Sequence, residues 1–255
     1  MNKIATVLLI CLPFTTVTAQ QQQYKGFRFG LQGNVGINKF VGTDIVIYGE
    51  MVPKTRLLFG GDLDIGYRFN KHIALYTGIG MQQADFSVKL KPLPDFRYRE
   101  WYEVYGYTIY WELPLRFRYN VALSNIVDLY FDAGVKGGLL QSYRVNFYID
   151  DPHVKNKRTT VKDHFPIEKW PISPLAGVGA NFSLGPKFEL NIGAELAYQV
   201  NNTFDGEVLI PFEAQIVVAP YGWIEHWEAY PFSGMIKAGF HYKLNRKAAR
   251  VTPVQ

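Results

Sequence analysis

From Phe27 to Leu244 the sequence repeatedly alternates bulky apolar residues with small or polar ones, and glycines concentrate in the second set. The first run places Phe27, Phe29, Leu31, Val35 and Ile37 against Arg28, Gly30, Gln32, Asn34 and Gly36. Successive side chains of a strand point to opposite faces, so each run reads as a strand with two unlike faces. The pattern returns over Leu57 to Phe69, Ile73 to Met81, Tyr107 to Tyr119, Leu129 to Leu139, Ala176 to Leu184, Phe188 to Tyr198 and Phe232 to Leu244. Two irregularities stand out. Beyond Gln83 the apolar residues change parity, which predicts a β-bulge there. After Leu139 the odd parity persists through Tyr143, Val145, Phe147 and Ile149, which predicts a strand that projects beyond the membrane. Pro114 interrupts the clearest run, since proline has no N–H for a ladder.

Connections alternate between long and short. Phe40 to Lys54, Lys89 to Glu103, Asp150 to Trp170 and Asn201 to Ala229 are long, whereas Asn70-Lys71-His72 and Gly185-Pro186-Lys187 are tight turns and Asn120 to Asp128 lies between. That arrangement describes an all-β, closed antiparallel barrel of eight strands with long outer loops and short periplasmic turns. A further alternation over Glu207 to Ala219 would add a hairpin and make ten strands.

Alternation alone leaves open which face is interior. Size decides it: the interior of an eight-stranded barrel is just wide enough for side chains to fill. One face carries the large apolar residues, while the other carries Gly30, Gly60, Gly66, Gly78, Gly80, Gly134, Gly138, Gly177, Gly179, Gly193 and Gly239. The small residues are therefore the inner ones, and the large ones face lipid. Aromatics beside the short turns (Phe27, Phe69, Tyr119, Phe131, Phe182, Phe188, Tyr242) fit an interfacial girdle. The inner face then holds Asp62, Asp64, Glu112, Asp132, Glu189 and Glu195 together with Arg28, Arg68, Arg116, Arg118, Lys136, Lys237 and Lys243. Unpaired buried charge is costly, so these groups are expected to pair as a polar plug; a narrow ion path is the functional alternative.

The N-terminus fits a membrane barrel's export route. Residues 1–19 carry Lys3, an apolar run from Ile4 to Phe14 and small residues at Val17-Thr18-Ala19, the pattern of a signal peptide cut before Gln20. The run is too short for a helical span of roughly 20 residues. Its removal takes the only cysteine, Cys11, which excludes disulfides, thiolate metal sites and a cysteine nucleophile from the mature chain. The formal charge falls from +5 to +4, too little to suggest nucleic acid as a partner. Residues 20–244 form the expected outer-membrane barrel, and residues 245–255, with Arg246, Lys247 and Arg250, a basic periplasmic tail.

Groups able to carry catalysis are sparse. His153 and His164 share a long loop with Asp150, Asp151 and Asp163, but without regular ligand spacing, so no metal or other cofactor is expected. His226 lies between Glu225 and Trp227 with no identifiable nucleophile, and His241 should face the lumen near Lys237 and Lys243 in a structural hydrogen bond. The loops are richer in aromatics. Trp101 and Tyr102 in the second long loop, and Tyr221, Trp223 and Trp227 in the fourth, supply the contact area that recognition surfaces use. They are the candidate partner-binding residues, for a protein or a glycan; the alternative is that they pack the loops together and mark the outer girdle.

Two stretches carry a family resemblance. Trp111-Glu112-Leu113-Pro114-Leu115-Arg116-Phe117-Arg118-Tyr119 resembles the Glu-(Ile/Leu)-Pro-Leu-x-x-x-x-Tyr segment of the PorT-like outer-membrane barrels of Bacteroidetes, and Gly239 to Leu244 is similar to their closing strand. The resemblance implies an OmpA/OmpX-type barrel in a Gram-negative outer membrane and, for some relatives, an accessory role in secretion or envelope assembly. The residues themselves, with no nucleophile or regular metal-ligand spacing, lead to the expectation of a non-enzymatic barrel with a structural or binding role. Its partners would be outer-membrane lipid and the barrel insertion machinery. A lipid-modifying enzyme or narrow channel is the other class. The chain departs from such barrels at its end, which runs past the aromatic residue where they often stop.

Overall fold

The computed structural model describes residues 25–41, 49–92, 101–150, 157–161, 167–203 and 229–245. Ten strand segments appear: β1 (Gly26–Val41), β2 (Gly49–Lys54), β3 (Arg56–Arg68), β4 (Ile73–Pro92), β5 (Trp101–Ala122), β6 (Val127–Asp150), β7 (Lys157–Val161), β8 (Ile172–Ser183), β9 (Phe188–Tyr198) and β10 (Tyr230–Asn245). Eight of them close a ring. Each is antiparallel to its neighbours in the order β1, β3, β4, β5, β6, β8, β9, β10, and β10 pairs back onto β1 from Gly26↔Asn245 to Val41↔Tyr230. The other two extend this ring: β2 lies along the outer end of β4, and β7 along that of β6. Closure leaves the eight-strand ring without a free edge, the condition for a sheet to cross a bilayer. The hairpin that would make ten strands falls outside the described residues.

Period two fixes what faces lipid. Leu31, Leu57, Leu113 and Ile236 are each more than 60% exposed on the outer surface, an arrangement that only an apolar surrounding permits on such a scale. Around the short-turn end the expected girdle forms: Phe27 and Phe69 meet Tyr67 edge-on at 4.9 and 5.0 Å, His72 stacks on Tyr119, and Phe188 packs against Tyr242. Gly185, at φ 93°, takes the left-handed conformation that closes the β8–β9 turn. The connection around Ser124 is tighter than the sequence suggests. β5 continues to Ala122 and β6 begins at Val127, so Asp128 belongs to the lumen wall rather than to a loop.

Strand length breaks the symmetry. β8 and β9 have 12 and 11 residues, close to the membrane-crossing minimum, while β4, β5 and β6 have 20, 22 and 24. The long strands rise beyond the belt on one side, flanked by β2 and β7, as a five-stranded outer sheet. Its inner face is apolar: Phe86, Val88, Val104 and Val145 are buried there, and Phe40 of β1 packs on Phe86 at 5.9 Å.

The parity change beyond Gln83 has a different cause from the bulge expected in β4. β4 keeps one register with β5 from Gly80↔Glu112 to Leu90↔Tyr102, so nothing is inserted there. Even-numbered side chains of β4 face inward throughout, and above the belt the sequence makes them apolar: Ala84, Phe86, Val88. The extra residue lies on the adjoining strand, where four steps from Lys54 to Leu58 oppose three from Ser87 to Ala84. β6 is as long as expected, but its odd residues do not keep one face. Ile109 pairs with Ser142 and Tyr110 with Leu140, so Gln141 is inserted, and beyond it Val145 points inward.

Candidate functional site

All thirteen charged residues assigned to the inner face by sequence stand on the lumen side; twelve are buried and Glu112 is nearly so, its side chain 12% exposed. Period two places Asp62 and Asp64 together on β3, and Arg116 and Arg118 on β5, so the strands deliver these groups in adjacent pairs.

From the short-turn end outward, the lumen is crossed by successive ion pairs. Arg68 donates to Asp128 at 2.8 Å and to the backbone carbonyls of Asn70 and Lys71, capping the β3–β4 turn. Arg28 and Glu189 form a looser contact at 3.9 Å, and Lys243 donates to Ser183. Next, the Arg118 fork grips Asp132 through two hydrogen bonds of 2.7 Å while its guanidinium lies between the rings of Tyr76 and Tyr130, at 4.5 and 3.7 Å. Such bidentate, ring-stacked geometry is specific to arginine. The Tyr130 hydroxyl donates to Asn191, which donates to Asn181, which donates to Asn120.

At mid-height Arg116 reaches three carboxylates, those of Asp62, Asp64 and Glu195, each at 3.2 Å, and Lys237 bridges Asp62 and Glu195 at 3.1 Å. Four strands thus meet across the lumen. His241 joins this cluster rather than its two lysine neighbours: its Nε2 lies 3.8 Å from Asp64 and 3.3 Å from Gln32, which itself donates to Asp64. Outermost, Lys136 pairs with Glu112 at 3.0 Å and donates to Gln82. Above it lies a cavity of about 50 Å³, walled by Asn38, Gln82, Thr108 and Ser233 and by Phe40 and Tyr110, enough for a few water molecules.

Sequence reasoning missed Asp128 by placing it in a turn. With it, the described inner face carries seven acids and seven bases apart from His241. The signal was available: Asp128 shares the even parity of Tyr130 and Asp132. Gln32 and the asparagines, inward by the same parity, fill the space between the charges and belong to the network as well.

The loop candidates are less well placed. Trp101 and Tyr102 begin β5, opposite Asp150 and Ile149 at the outer end of β6. Tyr221, Trp223 and Trp227 lie outside the described residues, as do His153, His164, Asp151, Asp163 and His226. Among the described residues no group of three or more His, Cys, Asp or Glu side chains is arranged to hold a metal ion.

The outer sheet has one charged cluster of its own. The Glu103 carboxylate accepts from Lys54 at 2.7 Å, from Arg56 at 3.0 Å and from Ser87 at 2.6 Å. Partial burial works to raise its pKa, but the hydrogen bonds from Lys54 and Ser87, with the charges of Lys54 and Arg56, prevail and hold it below the usual glutamate value.

A closed ring with apolar residues outside and paired charges inside defines a membrane-spanning β-barrel. The sequence profile of the outer membrane protein beta-barrel domain family matches residues 7–212, and the chain belongs to that family; its place is the outer membrane. Among solved structures it is similar to the outer membrane protein OprG from Pseudomonas aeruginosa, with 9% identity, 89% of this chain and 100% of that one covered, and a TM-score of 0.44. It is also similar to Neisserial surface protein A (14% identity, 85% and 97% covered, TM-score 0.38) and to Ail of Yersinia pestis (14%, 85% and 99%, TM-score 0.34). No curated protein matches the chain.

Proposed function

We propose that the protein is a non-enzymatic outer-membrane barrel with a plugged polar lumen, which presents its one-sided outer sheet and aromatic loops to a protein or glycan partner. The observation that carries this reading is the succession of ion pairs from Arg68–Asp128 to Lys136–Glu112, with equal numbers of acids and bases. Groups so engaged hold the strands against one another and are not free to line a path for ions. Single-channel recording on the purified protein in planar bilayers tests it. No steady conductance steps are expected; regular steps would replace the plug with a narrow channel.

The platform part of the reading rests on the rise of β4, β5 and β6 beyond the belt, with Trp101 and Tyr102 at the outer end of β5. Replacing Trp223 and Trp227 with alanine should abolish recovery of the cross-linked neighbour that the parent protein captures in intact outer membranes. Unchanged capture would refute the platform. The PorT-like resemblance gives the proposal its specific form, an accessory of secretion or envelope assembly in Bacteroidetes, for which a deletion strain should lose exported proteins. Altered lipid A on expression would instead indicate a lipid-modifying enzyme. Residues 1–19 as a cleaved signal and 245–255 as a periplasmic tail complete the reading, and the protein recovered from membranes should begin at Gln20.

A further inference from the structure

Where the lipid-facing belt ends on β1 and β3, basic side chains from neighbouring strands converge. The last apolar pair between these two strands is Ile37 opposite Leu57, 55% and 62% exposed, and beyond it the exposed apolar face thins to Phe232, opposite Lys39, and Val41. The next pair is Asn38 and Arg56, and beyond Asn38 stands Lys39, exposed and on the outer face with Ile37 and Val35. On the adjoining strand the extra residue between Lys54 and Leu58 re-aims the chain, and both Lys54 and Arg56 reach across the outer surface to Glu103. Re-aiming a side chain is a usual effect of such an insertion. Lys89 lies directly opposite Glu103 on β4. Among the described residues this outer-surface patch holds Lys39, Lys54, Arg56 and Lys89 against Asp85 and Glu103, an excess of positive charge where the described lumen is balanced.

We propose that this patch binds the phosphate groups of outer-leaflet glycolipid headgroups. Its position identifies the occupant. Short turns mark the periplasmic end of the barrel, so the patch lies at the outer end, at the rim where the exposed apolar face thins out. That is the level of the headgroups, which in the outer leaflet of a Gram-negative outer membrane are phosphorylated sugars. Long basic side chains keep their stems on apolar surface and extend their charges to this level. An arginine beside two lysines suits a phosphate, which the guanidinium can grip through two oxygens. Glu103 competes with a phosphate for Lys54 and Arg56, and among the described residues no acid pairs with Lys39. The proposal depends on the outer-membrane location alone and not on any partner of the loops.

The test is native mass spectrometry of the full chain in detergent micelles supplied with bis-phosphorylated lipid A. The parent protein should retain the lipid, and each cation removed should lower retention about fivefold, on the order of a hundredfold for the triple variant Lys39→Gln, Lys54→Gln, Arg56→Gln. Lipid A stripped of its phosphates should bind the parent no better than intact lipid A binds the variant. Should the triple variant fail to give the heat-modifiable band of a folded barrel, Lys39→Gln alone suffices, because Lys39 takes no part in the Glu103 cluster. Glu103→Gln removes the competing carboxylate and should raise retention. Equal retention by parent and variants, equal binding of the dephosphorylated lipid, or reduced retention in Glu103→Gln would each overturn the proposal. So would displacement of the lipid by inorganic phosphate at the same phosphorus concentration, since that would point to a free-anion site.

Discussion

The membrane belt and the outer sheet share strands β4, β5 and β6 yet place their side chains in opposite ways. In the belt, Leu75, Leu115 and Val135 point out while Arg116, Asp62 and Lys136 fill the interior. Above it, Val88, Val104 and Val145 point in, and Lys54, Arg56 and Glu103 lie on the surface. The difference shows that what surrounds the protein at each height decides which side of a strand is apolar. Lipid takes the hydrophobic residues outward, and water returns them to the interior. The strands make the switch by different means: β4 changes the parity of its apolar residues in an unbroken ladder, whereas β6 keeps the parity and inserts Gln141.

If the two regions are held by different forces, the largest effect belongs to the belt. Arg116→Met keeps the volume but leaves Asp62, Asp64 and Glu195 with Lys237 as their remaining cation in that cluster. Removing one partner of a buried ionic cluster costs about 3–5 kcal/mol, so the urea midpoint for unfolding from lipid vesicles should fall markedly. An unchanged midpoint would show that lumen charge does not hold the barrel together.

Deleting Gln141 tests the switch itself. The deletion joins Leu140↔Tyr110 to Ser142↔Ile109 in an unbroken ladder, so both halves of β6 keep their partners and Val145 stays opposite Gly106, facing inward. Turning that valine out to water would cost about 1.5–3 kcal/mol, so the barrel should insert and the outer sheet should stay as protease-resistant as in the parent. A sheet opened to protease by the deletion would mean that the facing of β6 is not set by its pairing with β5.

A smaller contrast uses glycines. A methyl group at inward-facing Gly179 would collide with the Tyr130 hydroxyl and the Ile192 carbonyl, whereas outward-facing Gly33 has nothing within 4 Å of that position. Gly179→Ala should destabilise by about 1–3 kcal/mol through displacement of the ring under Arg118, and Gly33→Ala should be neutral or stabilise by about 0.5 kcal/mol. Similar melting shifts for both would argue against a close-packed lumen.

Much of this arrangement was legible in the residues. The bulk difference between the two faces identifies the lumen, and the parity of Arg116, Asp62 and Glu195 identifies its charges. Two things were hidden for physical reasons. Alternation records contrast between faces without direction, so a reversal of surroundings and a bulge look alike: both gave a parity change at Gln83, and continued parity concealed the insertion at Gln141. Which groups meet is a matter of register between distant strands, so parity places His241 in the lumen beside Lys237 and Lys243 but cannot name Asp64, across the lumen, as its neighbour. The aromatic loop residues illustrate a further limit, because composition marks Trp223 and Trp227 as recognition material without any period to say where they sit.

The smallest expected effect concerns pH, and it separates the regions again. Glu103 ionises below its usual value in the folded protein because Lys54, Ser87 and Arg56 stabilise the carboxylate against the effect of partial burial. Its contribution is therefore complete above the unfolded-state pKa of about 4.3 and is lost as pH falls through the lower folded value. The cluster lies at the surface, so the contribution is below about 1 kcal/mol and weakens with salt. Carbon-13 titration of the Glu103 carboxyl in detergent should give a midpoint below that of an ordinary glutamate. Protease cleavage of the outer sheet should accelerate modestly on acidification through that range, and Glu103→Gln should abolish this acceleration without touching the belt. A midpoint at or above the ordinary value would mean that Lys54 and Arg56 do not hold the carboxylate in solution, and the surface cluster would then be no more than a meeting of long side chains.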